Sequence, residues 1–450
     1  MSKTELWRRA RLDPDTGRRG LRDLLAEGKI EADHSLSRSL GSVVALSIGT
    51  ESARGALVDP NGRIDFGFEC PPHPGQLTEL SRTLLLNRLA DLAYAILEAG
   101  VSASPGGQLP LIGVSVAWPS PLDAETKHPS ITVLPHPQWA RDPLPVTDAV
   151  AARLQLDQWS TATGSDVVRS HAINDANAVA ISAAFDKTRD RAMDPITDGR
   201  SGPILVIRIG GSIGAGIVLL ATHCDQRSAF LDSHLIEGRG FAGEIAHLPI
   251  SAADIDELGK RGDGLIALTP SHKCHCGRKI CLESVASARA VVKRVRNSGL
   301  LENDVGDTEG IRVMMEKSDT SSAFARALYQ AGSLIGRSLA GPIMLLGPRQ
   351  ITVTGSSAQP ALIEGLEARR GDWKYIQGEP GPEVMALKGR ENSLAPAHGA
   401  GLVALRGQLY RRFDDFDGLP GVAVPYDTGH LQKLKYTLTG KVENRPELIA

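Results

Sequence analysis

The sequence predicts an α/β protein of two lobes carrying a metal-binding loop, and three observations lead there. Short apolar runs of strand length alternate with longer stretches of helical period. The chain has 450 residues, more than one compact core organises, so two lobes with extensions are expected. Three of its five cysteines crowd into the eight positions from Cys274 to Cys281.

The elements follow in order. Residues 1–40 begin polar and basic, with Arg8, Arg9, Arg11, Arg18, Arg19 and Arg22; a short helix is expected over 19–27 and an extended piece over 30–33. Residues 43–48 and 53–58 read as buried strands, the second ending in the turn Asp59-Pro60-Asn61-Gly62. Apolar residues at helical spacing predict a helix over 77–97, stopped by Gly100. Residues 111–118 predict a strand and 148–154 a helix. The polar stretch 184–202 reads as an inserted loop. A strand over 204–209 runs through Gly210-Gly211-Ser212-Ile213-Gly214-Ala215-Gly216 into a second strand over 217–221. Helix is expected over 282–296, loose structure over 304–319, one long helix or a pair over 321–344, a strand over 351–354 and a closing helix over 394–409. Residues beyond 410 are rich in Asp, Pro and Gly and read as a tail or interface arm.

Composition excludes several classes. A net charge of −2 argues against a generally basic nucleic-acid binder, and 4% aromatic content against a stacking surface for single strands. No apolar run reaches membrane-spanning length, and the N-terminus lacks the apolar core of a secretory signal. Five cysteines, an odd number clustered as a metal site, fit a reducing cytoplasm.

The run Cys274-His275-Cys276-Gly277-Arg278-Lys279-Ile280-Cys281-Leu282-Glu283 is the chemical centre of the sequence. Thiolates this close repel one another unless a cation holds them, and a tetrahedral zinc takes four N or S ligands. Cys274, Cys276 and Cys281 supply three; the fourth is His247, within Gly243-Glu244-Ile245-Ala246-His247, or its rivals His275 and His272. The alternative is a set of buried reduced thiols or a disulfide. In His171-Ala172-Ile173-Asn174-Asp175-Ala176-Asn177 a strand end meets a helix start, which sets Asn174 and Asp175 at the lip of a cleft. Asp175 there either contacts a ligand or caps the helix beginning at Ala176.

These motifs resemble those of the ROK family of repressors, open reading frames of unknown role and sugar kinases. The carriers are Gly-Glu-x-x-His at 243–247, Cys-x-Cys-Gly-x-x-x-Cys-x-Glu at 274–283 and Asn-Asp-Ala-Asn at 174–177. The resemblance covers roughly 43–409 and implies a two-lobed, actin-like (ribonuclease H-like) sugar-kinase fold. It divides the chain into 1–40 (a basic arm or winged helix-turn-helix remnant), 41–165 (first lobe), 166–410 (second lobe, its last helix packing back on the first) and 411–450 (an extension). It implies zinc on His247, Cys274, Cys276 and Cys281, and sugar contacts from Asn174, Asp175, Glu244, His247 and Glu283. In the family's kinases the matching Asp is the base that takes the proton of the attacking hydroxyl, so Asp175 would be catalytic. Gly49, Gly211, Gly214 and Gly355 fall where the kinases hold ATP and Mg²⁺.

The nucleotide side departs from the kinase pattern. Ser47 and Glu51 stand where the family has Asp and a phosphate-facing small residue; Gly211 and Ser212 replace Thr and Gly; only Gly355 remains of a Gly-Gly pair. Negative charge beside a triphosphate is repulsive in a partly dehydrated site. Ser120 likewise replaces a sugar-side Gly. The resemblance therefore implies a regulator-type sugar sensor whose ligand alters the angle between two lobes, with an ATP-dependent hexose or N-acetylhexosamine kinase as the alternative. It further implies a homodimer or homotetramer. DNA is a partner of the family's repressors, but residues 1–40 alone are too short for a whole DNA-binding domain.

Overall fold

The computed structural model describes residues 40–414, together with 26 and 447–448, except for 50–52, 71–81, 105–108, 124, 130–144, 158, 160–167, 191–201, 220–233, 261–269, 271–273, 275, 279, 319–321, 374–380 and 388. The chain divides into two compact units. One comprises 1–118, 144–173 and 400–450; the other comprises 119–143 and 174–399.

The first unit is built on β1 (Ser42–Ile48), whose seven residues are all buried, as an apolar run flanked by strands on both sides should be. It pairs antiparallel with β2 (Ala53–Val58), which pairs antiparallel with β3 (Ile64–Glu69). The β2–β3 turn is closed by Asp59, whose Oδ1 accepts from the main-chain N–H groups of Asn61 and Arg63 at 2.9 and 2.8 Å. Helix α1 (Arg82–Ala103) buries Leu85, Leu89, Leu92, Ala93 and Ile96 and packs on these strands. It runs past Gly100, where its end was expected. β4 (Leu111–Trp118) lies parallel to β1 on its other side. After α2 (Val146–Leu154), β5 (Arg169–Asn174) completes the order β3-β2-β1-β4-β5.

The second unit begins with α3 (Asp175–Asp190), which follows β5 without a linker. The loop expected over 184–202 is therefore helical as far as 190, and 191–201 lie outside the described residues. β6 (Ile204–Ile209) turns through Gly210-Gly211-Ser212 into β7 (Ile213–Leu219), and Ile209 pairs with Ile213. Ladder pairing thus reclaims 213–216 from the expected loop, so Gly214 is a strand residue. Alternation sends Ile213, Ala215 and Ile217 into the main core, while Gly216 faces α3. A Cβ on Gly216 would stand 2.6 Å from that of Ala180, so glycine lets this helix lie on the strand. β8 (His234–Leu235) pairs with β7.

The helical layer comprises α4 (Ala252–Lys260), α5 (Leu282–Ala286), α6 (Ala288–Asn297), α7 (Asp307–Lys317), α8 (Ser322–Ser338) and α9 (Ala340–Leu346). The single helix expected over 282–296 is two. Ser287 has extended ψ of 155°, and its Oγ accepts from Ala290 N–H at 3.3 Å, so it starts a new helix. The stretch expected to be loose over 304–319 is α7; Asp307 and Glu309 favour its N-terminus, and it buries Ile311 and Met314. β9 (Gln350–Thr354) runs parallel to β6, and beyond α10 (Pro360–Glu367) β10 (Glu383–Ala386) runs parallel to β9. The second sheet has the order β10-β9-β6-β7-β8.

The closing helix α11 (Gly389–Asp414) contributes its residues through 399 to the second unit and the rest to the first. β11 (Glu447–Leu448) adds an edge to the first sheet, antiparallel to β3. Two sheets of mixed strand direction, each with helices, meet the expected α/β class. Among the described residues no helix is long and apolar enough to cross a membrane. The basic arm lies outside the described residues apart from Ala26, which is helical, and Leu40 at its end.

Candidate metal centre and carboxylate site

The donor atoms of His247, Cys274, Cys276 and Cys281 all lie within 4.8 Å of one another. Two segments distant in sequence are brought together for this. Leu282 N–H donates to Leu248 O at 3.0 Å, and Pro249 bridges Cys281, so the turn ending at His247 runs beside the start of α5. Gly277 N–H closes the loop on Cys274 O at 3.1 Å. The rivals His272 and His275 lie outside the described residues.

The donor set suits a tetrahedral metal. An ion with bonds of about 2.0–2.3 Å separates its ligands by roughly 3.3–3.8 Å, and His247 Nδ1 stands 3.4 Å from Cys274 Sγ. Burial pushes the Cys274 thiol up to about 12, so it would be protonated without a cation beside it. Among the described cysteines of the loop none is in a disulfide.

The two imidazole nitrogens face different ways. Nδ1 looks at the sulfur, and Nε2 lies 3.6 Å from Glu244 Oε2. Burial, with the charge of Asp175 adding to it, pushes the Glu244 carboxyl up to about 7. Burial also pushes Glu283 up to about 7; the N–H of Ile213, donating to its Oε2 at 2.9 Å, opposes this, and the charge of Glu244 reinforces it. Glu244 thus feels the charge of Asp175, and Glu283 that of Glu244.

At the β5–α3 junction the helix cap is Asn174 rather than Asp175. Asn174 Oδ1 accepts from the N–H groups of Ala176 and Asn177 at 3.0 and 3.2 Å, so Asn174, the last strand residue, caps the helix. Asp175 is buried at the first helical position and pairs instead with Arg208, whose Nη1 stands 2.6 Å from Asp175 Oδ2. Burial pushes the Asp175 carboxyl up and Arg208 opposes it. Sequence reasoning missed Arg208; its signal is a lone charge inside the apolar strand Ile-Leu-Val-Ile-Arg-Ile.

Two of the glycines expected at a nucleotide, Gly355 and Gly214, are closely packed within the protein itself. Gly355 has φ +100°, and a Cβ there would stand 2.3 Å from Ile209 O, so sheet packing alone demands glycine. A Cβ on Gly214 would meet that of Ala176 at 2.9 Å. Gly211 sits in the β6–β7 turn, whose end is held by Ala288 N–H on Gly210 O at 3.1 Å. Gly49 follows β1 directly, while Glu51 lies outside the described residues. Ser47 is buried, its Oγ donating to Arg54 O at 3.4 Å.

The ROK family profile matches residues 43–406. The chain belongs to the ROK family. It is similar to the xylose repressor of Caldicellulosiruptor bescii, 19% identical over 327 residues, spanning 71% of this chain and 66% of that one, just under two thirds of the relative's length. Its fold is similar to a ROK family transcriptional regulator described as a homolog of the E. coli MLC protein: TM-score 0.61, 17% identity, covering 93% of this chain and 95% of that one. It is also similar to a ROK family glucokinase from Streptomyces griseus solved with glucose and AMPPNP: TM-score 0.54, 18% identity, covering 81% and 99%. These likenesses carry the actin-like fold; repressors and kinases stand side by side among them.

Proposed function

We propose that this ROK protein binds a sugar and acts as a regulator-type carbohydrate sensor rather than a phosphotransferase. The observation that carries the reading is the array around His247: an imidazole with one nitrogen toward three sulfurs and the other 3.6 Å from Glu244, beside Asp175 and Glu283. Such an array offers several fixed acceptors to hydroxyl groups, which is how polar specificity is built into a small-molecule site. Zinc on His247, Cys274, Cys276 and Cys281 is part of the proposal; its chemistry there is to fix the ring's tautomer and direction. Asn174 supports the site by capping α3, and Asp175 is the acceptor beside it.

Against phosphoryl transfer stands the engagement of the groups that would serve it. Transfer of this kind rests on Mg²⁺ and phosphate positioning. Ser47 offers no carboxylate to a metal ion, and the N–H of Ile213 is already spent on Glu283. Calorimetric titration with hexoses, pentoses and N-acetylhexosamines should show saturable binding without ATP consumption in Mg²⁺. ATP turnover that disappears in Asp175→Asn would establish the kinase instead. A second copy of the chain and an operator DNA are the partners this reading implies; DNA binding that weakens steeply with salt would support the latter.

A further inference from the structure

We propose that Arg208 is the positioning residue of this site: it takes one oxygen of Asp175, holds the carboxylate as a charged acceptor, and presents the other oxygen to a ligand hydroxyl. This rests on the sugar-binding reading above. The 2.6 Å contact is a charge-assisted hydrogen bond from Nη1 to Oδ2. Oδ1 receives the long, 3.5 Å contact from Asn174 Nδ2 and so keeps acceptor capacity. A carboxyl buried this far would otherwise drift toward its neutral form, which donates as well as accepts and so aims less specifically.

The fold puts Arg208 in place. It lies one residue before the end of β6, across from Gly214 and beside Thr354. Gly214 and Gly216 bring the first turns of α3 against β7, which sets Asp175 within reach of a strand side chain. Among the described residues Asp175 is the ion-pair partner of Arg208, and the arginine side chain keeps 24% of its surface exposed. The groups bearing on Asp175 are thus Arg208, the main-chain N–H groups of Ala176 and of Asp175 itself, the Asn174 carboxamide and, through space, Glu244. Taking a proton would cost the carboxylate its ion pair with Arg208.

Two measurements test this. Isotope-edited infrared spectra of protein labelled at aspartate carboxyl carbons, differenced against Asp175→Asn, follow the Asp175 band as pH is changed. Its midpoint should rise by about one pH unit or more in Arg208→Gln and return toward the wild-type position in Arg208→Lys. An unmoved midpoint overturns the proposal. In calorimetry with the best-binding sugar, Arg208→Gln should weaken affinity by about 10- to 100-fold, and Arg208→Lys by less. In the Asp175→Asn background Arg208→Gln should add little; full additivity would mean that the arginine acts elsewhere and would overturn the proposal. If the wild-type protein binds no sugar, the functional reading fails, and the infrared midpoint alone decides whether Arg208 sets the state of Asp175.

Discussion

The metal and carboxylate residues of the second unit and the glycines expected at a nucleotide make an instructive pair. In the first group chemically potent side chains converge: three sulfurs and a ring nitrogen lie within 4.8 Å of one another, and Glu244 lies within electrostatic reach of both Asp175 and Glu283. In the second group Gly214, Gly355 and the neighbouring Ile213 N–H each have a structural occupation. Gly355 yields to Ile209 O, Gly214 to Ala176, and the N–H of Ile213 to Glu283. A reactive side chain advertises its purpose, whereas a glycine records only that something stands close by.

That contrast can be broken at several points. The largest effect is expected at the metal: Cys281→Ser should abolish a metal content of about one equivalent per chain and lower the melting temperature by roughly 10 °C or more. Metal analysis and scanning calorimetry would read both, and unchanged stability would reduce the cluster to bystander thiols. Next comes a glycine beside the site. Gly243 has φ +86° and a Cβ there would lie 2.0 Å from Ala215 O, so Gly243→Ala should cost about 2–3 kcal/mol in denaturant melts. For Asp175→Asn, sugar affinity measured by calorimetry should drop about 10-fold or more; an unaltered value would remove Asp175 from the ligand's surroundings. Ser287→Ala, which removes the cap of α6, should destabilise by about 1 kcal/mol. At the small end, Arg312→Ala severs the surface pairs to Glu309 and Glu316, and the melting temperature should not change measurably.

The sequence made the strands legible because their apolar runs are short and sharply bounded: β1, β2, β4, β6 and β9 fall within a residue of their expected limits. The grouping of Cys274, Cys276 and Cys281 was legible because few arrangements of thiols besides a metal site call for that spacing, whereas His247 was set apart from His272 and His275 by the family resemblance. The break at Ser287 was hidden, since apolar residues keep helical period across it and only the serine cap betrays the stop. Helix α7 was missed because it buries so little, though Glu309, Arg312 and Glu316 carry the spacing of a helical ion-pair row. The pairing of Arg208 with Asp175 joins residues 33 apart and depends on how α3 lies on the hairpin. No local pattern encodes that.

The direct passage from β5 into α3 carries a final implication. One amino acid inserted between Asn174 and Asp175 would carry the Asn174 carboxamide away from the N–H groups of Ala176 and Asn177 that it caps. Such an insertion should therefore cost about 1 kcal/mol or more in denaturant melts, through a lost cap alone.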